Sequence, residues 1–160
     1  MKRLVLAFII LSSIILLITT NINFQYSHLI AYASPADAYG NDINYVEIWQ
    51  YNGTTWILKA NFTSSGGSVR INNNQQVKFN VGIRLNSTLA SSSDEAISYT
   101  RVYMNITYDG TFVWQNVELN NTSCQLVGNF YYLIETGTWS TNLPIAGKTY
   151  ACTILYQAYY

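Results

Sequence analysis

The chain has 160 residues, and its eight basic and eight acidic side chains together make up only 10% of it. Soluble domains usually carry about 25% charged residues, so the polar surface here must consist mainly of Asn, Ser, Thr, Gln and Tyr. This composition excludes a basic surface for nucleic acid, and the length suits one domain with a hydrophobic core.

The first 20 residues are typical of a secretory signal peptide. Lys2 and Arg3 precede an apolar run from Leu4 to Ile18 that is interrupted only by two serines. The run is short for a membrane span, although an uncleaved anchor is an alternative. We expect cleavage near residue 20, with a later site after residue 33 as the alternative. The protein is therefore expected outside the cell, and it should meet the membrane only through this peptide.

Residues 21–42 are predicted to form an N-terminal extension whose main feature is a strand from Asn21 to Ala33. Side chains alternate between the two faces of a strand, and here the even positions are mostly apolar. These apolar residues are Ile22, Phe24, Tyr26, Ile30 and Tyr32. No turn or neighbouring strand adjoins the segment, so its apolar face must be buried by a distant part of the chain or by another molecule. The alternative is that the segment is removed with the leader.

Residues 43–160 are predicted to form a single all-β domain, and the first hairpin turns at Asn52-Gly53. A two-residue loop would place Trp49 opposite Trp56 on a face that we expect to be core. Glu47 would lie on the same face, where a carboxylate is unexplained.

A second hairpin is predicted at Asp109-Gly110. Its register places Trp114 opposite Asn105 on the outward face and pairs Arg101 with Glu118. A sugar on Asn105 would then stack on Trp114; the alternative is that a neighbouring subunit covers this face.

Further strands are predicted on both sides of these hairpins. Val77 to Leu85 has the clearest alternation and should place its odd positions in the core, while Asn86 to Ala96 should be a connection with one helical turn. Ser123 to Glu135 reads as one strand with a bulge near Gly128-Asn129. The last strand should place Tyr150, Cys152 and Ile154 on one face. Seven or eight short strands without a helical period predict an antiparallel β-sandwich, broadly immunoglobulin-like.

The chain contains two cysteines, Cys124 and Cys152. An even number in an exported chain most simply predicts one disulfide bond, with two free thiols as the alternative.

Six sequons of the form Asn-x-Ser/Thr occur, some of which are expected by chance in a chain so rich in these residues. All six asparagines are predicted at turns, at strand ends or on outward faces, where a glycan would be accessible. They are Asn52, Asn61, Asn86, Asn105, Asn120 and Asn121.

Residues for catalysis are sparse, and we expect no enzyme, no metal and no cofactor. His28 is the single histidine, and Asp94-Glu95 is the one adjacent carboxylate pair, better explained as a turn or helix start. The four tryptophans could instead form a sugar-binding platform, although core positions are the simpler explanation. They are Trp49, Trp56, Trp114 and Trp139.

A signal-led, charge-poor, Asn/Thr/Tyr-rich sandwich with many sequons and an extended strand ahead of the domain resembles the thread filament subunits of Sulfolobales archaea. The resemblance rests on overall character and implies an N-glycosylated extracellular filament of identical subunits, serving adhesion or cell contact. It further implies that residues 21–33 of one subunit complete the sheet of the next. Other hypotheses are a secreted carbohydrate-binding module and an S-layer-associated or viral coat protein.

Overall fold

A computed structural model describes residues 26–31, 40–63, 66–73, 75–139 and 149–158. The predicted signal peptide lies outside these residues, as do Ile22, Phe24 and Tyr32 of the predicted N-terminal strand. Within the described part, no helix is long and apolar enough to cross a membrane.

The described residues form ten strands, one α-helix and one short 3₁₀ helix at Ser87–Leu89. The elements in chain order are β1 (Tyr26–Ala31), β2 (Asp42–Tyr51), β3 (Trp56–Phe62), β4 (Gly67–Asn72), β5 (Val77–Asn86), α1 (Ser93–Tyr99), β6 (Thr100–Tyr108), β7 (Thr111–Glu118), β8 (Asn120–Val127), β9 (Phe130–Trp139) and β10 (Thr149–Ala158).

Two five-stranded sheets pack together into an all-β sandwich, as the sequence predicts. Sheet A has the strand order β4-β1-β10-β6-β7, and sheet B has the order β3-β2-β5-β9-β8. All neighbours are antiparallel except β1 and β10, which are parallel.

The core lies between the sheets, and β5 contributes the odd positions predicted for it. Phe79, Val81 and Ile83 have no solvent-exposed surface, while the alternating Lys78 and Asn80 are partly exposed. On β10, Tyr150 and Cys152 are both buried, on the face that the alternation predicts them to share. Period-two alternation therefore predicted the inner faces of these two strands correctly.

The turn between β2 and β3 has four residues rather than the predicted two, because Tyr51 pairs with Trp56. The side-chain oxygen of Asn52 accepts hydrogen bonds from the backbone N–H groups of Thr54 and Thr55, both at 2.9 Å. The register of the ladder shifts between Ile48 and Trp49, where Lys59 is an extra residue on β3. The predicted register of this hairpin is therefore wrong.

The second hairpin has the predicted two-residue turn, since Tyr108 pairs with Thr111. Its register then shifts twice, and Asn116 adopts a left-handed backbone with φ of 48°. As a result Trp114 lies opposite Ile106, not opposite Asn105.

One further turn differs from the sequence prediction, and one predicted helical turn is present. Gly128 and Asn129 form the turn of the β8–β9 hairpin rather than a bulge, since Val127 pairs with Phe130. The helical turn predicted in the Ser-rich connection is α1, and the hydroxyl oxygen of Ser92 caps it by accepting the N–H of Glu95.

Candidate functional site

The N-terminal strand β1 occupies an interior position in sheet A. It pairs antiparallel with β4 from Tyr26 to Ala31 and parallel with β10 from His28 to Ile30. In the described part of the chain, β1 is the strand that joins β4 to the rest of this sheet. The prediction that this segment is a strand is confirmed for residues 26–31, and its pairing partners lie far along the same chain.

The face of β1 that is in register with the core is the opposite of the predicted one. Leu29 pairs with Tyr150, which is fully buried, and Ala31 is itself fully buried. His28 pairs with Arg70 on β4, which is exposed. The odd positions are therefore in register with the core, although the sequence predicted this for the even positions. Both neighbouring strands impose this register, and a shift of one residue exchanges the two faces.

The six sequon asparagines differ in exposure. Asn52, Asn61 and Asn120 are exposed, and Asn86 and Asn121 are partly exposed. Asn52 and Asn86 each accept the N–H of the Thr two residues later, at 2.9 and 3.0 Å. These hydrogen bonds engage the amide oxygen and not Nδ2, the nitrogen that a glycan would modify. Five of the six asparagines are thus at least partly accessible, but the Nδ2 of Asn121 already donates to Glu135 Oε1 at 2.9 Å.

Asn105 is the exception, and the prediction that it carries an accessible glycan is contradicted. Its side chain is only 8% exposed, and its Oδ1 accepts the N–H of Asn116 at 2.6 Å. The bulge that contains Asn116 closes over Asn105, so its side chain stabilises the strand pair instead of facing solvent.

The prediction that Trp114 stacks on a sugar at Asn105 is contradicted. Its ring packs against the core, with centroids 6.4 Å from Trp139 in a stacked arrangement and 6.1 Å from Phe79. Trp139 in turn meets Tyr150 edge-on at 6.1 Å. These rings form an interior aromatic cluster that links β5, β7, β9 and β10.

Trp49 and Trp56 were predicted on a core face, but they lie on the outer face of sheet B. Trp49 pairs with Lys78, which alternates with the buried residues of β5. Trp56 pairs with Tyr51, and their ring centroids are 5.4 Å apart. Lys78 Nζ lies 5.1 Å from the Trp49 ring and 5.0 Å from the Trp56 ring. We call Trp49, Tyr51, Trp56 and Lys78 the tryptophan platform.

A row of polar side chains borders this platform and explains Glu47. Glu47 Oε2 accepts hydrogen bonds from Trp49 Nε1 at 2.8 Å and from Asn80 Nδ2 at 3.1 Å. The Oδ1 of Asn80 accepts the hydroxyl of Thr136 at 3.0 Å, which extends the row to β9. The carboxylate that was unexplained on a core face therefore lies on the outer face, where it fixes an indole ring.

The predicted disulfide bond is absent, and both cysteines are free. Cys124 lies on β8 at the edge of sheet B, where its thiol forms a hydrogen bond with Ser93 of α1. Cys152 lies on β10 in sheet A and is 4% exposed. Burial raises the pKa of both thiols. An even cysteine count does not show whether the two residues lie within bonding distance of each other.

The carboxylates serve local structure. Glu95 accepts hydrogen bonds from the Ser91 hydroxyl, the Tyr99 hydroxyl and the Ser91 N–H, which lower its pKa to about 2. Glu135 is buried, which raises its pKa, and it accepts Asn121 Nδ2 at 2.9 Å. Among the described residues no three acidic, Cys or His side chains gather where they could hold a metal ion. The prediction that the protein is not an enzyme stays a prediction.

The fold and these surfaces together define a charge-poor β-sandwich with an inserted N-terminal strand and an outward tryptophan pair. Comparison with protein-family models, with curated proteins and with solved structures gave no match.

Proposed function

We propose that this protein is a structural subunit of an extracellular surface filament, assembled by donation of the N-terminal strand from one subunit to the next. The observation that carries the proposal is the position of β1 inside sheet A, between β4 and β10. A first strand that enters the middle of a sheet built from later strands fills a slot that another copy of the same strand fits equally well.

The pairing of β1 gives this exchange its physical basis. Without β1, β4 would lose its ladder partner in sheet A, and β10 would expose the edge that now pairs with His28 to Ile30. An unpaired edge readily accepts another chain. If β1 of one subunit enters the slot of the next, each copy makes the same backbone pairs that it makes alone. Because such a contact runs head to tail, it propagates into a fibre unless the rotation between subunits closes a ring.

The sequence adds two supporting features. A signal-like leader and accessible sequons suit an exported glycoprotein, and a surface poor in charge gives few ionic contacts that acid or salt could weaken. Adhesion or cell contact is the role that we propose for the filament.

Cross-linking tests strand donation directly. His28 and Arg70 are adjacent in the register of β1 and β4, so the double variant His28→Cys/Arg70→Cys can form a new disulfide. Exchange between subunits should give a ladder of covalent oligomers on non-reducing gels, together with filaments in electron micrographs. The variant Tyr26→Cys/Ser68→Cys is the matched control, because its positions are four residues out of register, about 13 Å.

A cross-linked product that runs only as a monomer, from a preparation without filaments, would refute strand donation. A mature protein whose N-terminal residue lies beyond Ala31 would refute it as well, since β1 would then be missing. The unmodified protein measures the background from the two native thiols.

A further inference from the structure

The tryptophan platform is an outward aromatic surface in a chain whose interior already holds Trp114 and Trp139. Trp49 and Trp56 are both partly exposed, and the neighbouring Leu58, which pairs with Trp49, is 44% exposed. A ligand that covers this apolar surface removes it from water, which contributes favourably to the free energy of binding.

The platform is held in place before any ligand arrives. Glu47 fixes the Trp49 indole through a 2.8 Å hydrogen bond, and Lys78 lies between the two tryptophan rings. Tyr51 packs beside Trp56. A ligand that binds these rings therefore loses less free energy in ordering them than it would with mobile side chains.

Asn61 lies on the same face and begins a sequon that ends at Thr63. It is exposed and pairs directly with Glu47, the residue that fixes Trp49. Trp49 is therefore the diagonal neighbour of Asn61 across the β2–β3 ladder, at roughly 7–8 Å between Cα atoms. This spacing lets the first rings of a glycan on Asn61 Nδ2 lie over the platform.

We propose that the tryptophan platform docks the pyranose rings of an N-linked glycan carried on Asn61 of the same chain. The C–H face of a pyranose packs on an indole ring, whose face is electron-rich. Its hydroxyl groups can donate to Glu47 and accept from Asn80 Nδ2 or from Lys78. A tether this short gives an effective concentration in the millimolar range, which makes a modest stacking contact sufficient. The docked glycan shields Leu58 and the two indoles from water.

The test uses the full chain made in a host that N-glycosylates, and it reads nuclear Overhauser effects between sugar protons and indole protons. The expected result is a set of cross-peaks that joins the Asn61 glycan to Trp49 and Trp56, with upfield ring-current shifts of the sugar signals. Thr63→Ala removes this sequon without changing Asn61 and should abolish both signals. Thr88→Ala removes the sequon at Asn86 and should leave them unchanged.

A second variant separates docking from folding. Trp56→Ala removes a partly exposed ring of the platform, so the fold should persist. The chemical shifts of the sugar protons should then return toward those of a free glycan. An Asn61 glycan without contacts to either indole would overturn the proposal, and so would an unmodified Asn61. If the Thr63→Ala protein bound a free N-glycan on these rings while the tethered glycan made no contact, the platform would serve a foreign glycan, and the proposed occupant would be wrong.

Discussion

The inward position of Trp114 can be tested through the free energy of unfolding. Trp114→Ala removes a ring that packs 6.4 Å from Trp139 and 6.1 Å from Phe79. Truncation of a core Trp or Phe to Ala costs about 3–5 kcal/mol, and the partial exposure of Trp114 favours the lower end, about 3 kcal/mol. The melting temperature should then fall by about 10 °C. Phe112→Ala is the matched control two residues away, because Phe112 is 49% exposed and should cost less than about 0.5 kcal/mol.

Urea unfolding followed by far-UV circular dichroism measures both variants without depending on tryptophan emission. The order of the two effects is the decisive result. A loss below 1 kcal/mol for Trp114→Ala, or a larger loss for Phe112→Ala, would show that the outer face of β7 packs against something and that the ring does not belong to the interior cluster.

Three further predictions concern the cysteines, one acidic turn and one glycine. Mass spectrometry should count two free thiols, with Cys152 alkylated only after unfolding because it is buried; a peptide linking it to Cys124 would contradict the structure. The lowered pKa of Glu95 contributes stability above its unfolded pKa of about 4.5, and this contribution should disappear as the pH falls toward 2. In acid denaturation, Glu95→Gln should lack this loss. A Glu95→Gln protein with the same acid profile as the unmodified protein would argue against the hydrogen bonds. Gly82→Ala places a Cβ 2.2 Å from the Tyr45 ring and should cost about 1–3 kcal/mol in thermal unfolding, and the added change Tyr45→Ala should recover part of it if the clash is the cause.

Acid should change the stability of the whole protein only slightly, because two carboxylates act in opposite directions. Burial raises the pKa of Glu135, so the folded state holds its proton more tightly and gains stability as the pH falls. The lowered pKa of Glu95 has the reverse effect over the range from about 4.5 to 2. A cooperative acid transition would therefore indicate an ionic network that extends beyond the pairs Arg84–Asp42 and Arg101–Glu118.

The sequence predicted the sandwich well because its strands obey a strict alternation wherever no bulge occurs. The inner face of β5 was predicted correctly, and so was the Arg101–Glu118 ion pair, which joins atoms 3.1 Å apart. The Asp109-Gly110 turn was also correct. These features depend on residues that are near one another in sequence or on a period of two, which a single sequence displays.

Bulges account for the errors at the tryptophans. One extra residue on a strand exchanges its two faces beyond that point, so a single unrecognised bulge places every later side chain on the wrong side. Asn44 is an extra residue on β2 relative to β5, and it places Trp49 on the outer face. Lys59 is an extra residue on β3 relative to β2, and it does the same for Trp56. Val113 is the extra residue on β7 that moves Trp114 inward. Glu47 carried the available signal, because a carboxylate assigned to a core face indicates that the assigned register is wrong.

The partners of β1 could not be predicted from the local pattern, because either face of the strand carries side chains that a core could accept. Leu29 and Ala31 are as compatible with a core as the even positions, and only the neighbours β4 and β10 decide between them. Long-range pairing of this kind leaves no mark in the segment itself. The proposed exchange depends on the same property. The slot between β4 and β10 selects β1 by its register alone, so it accepts the strand of another copy as readily as the chain's own strand.

The two proposed surfaces lie on different sheets, and this separation has a measurable consequence. β1 belongs to sheet A, whereas Asn61 and the tryptophan platform lie on the outer face of sheet B. A glycan docked on that face covers neither β4 nor β10, the two strands that border the slot. Adding Thr63→Ala to the His28→Cys/Arg70→Cys protein should therefore abolish the sugar–indole contacts and leave the ladder of covalent oligomers intact. Loss of the ladder in this triple variant would mean that the glycan on sheet B takes part in the contact between subunits, and that assembly uses more of the surface than the strand alone.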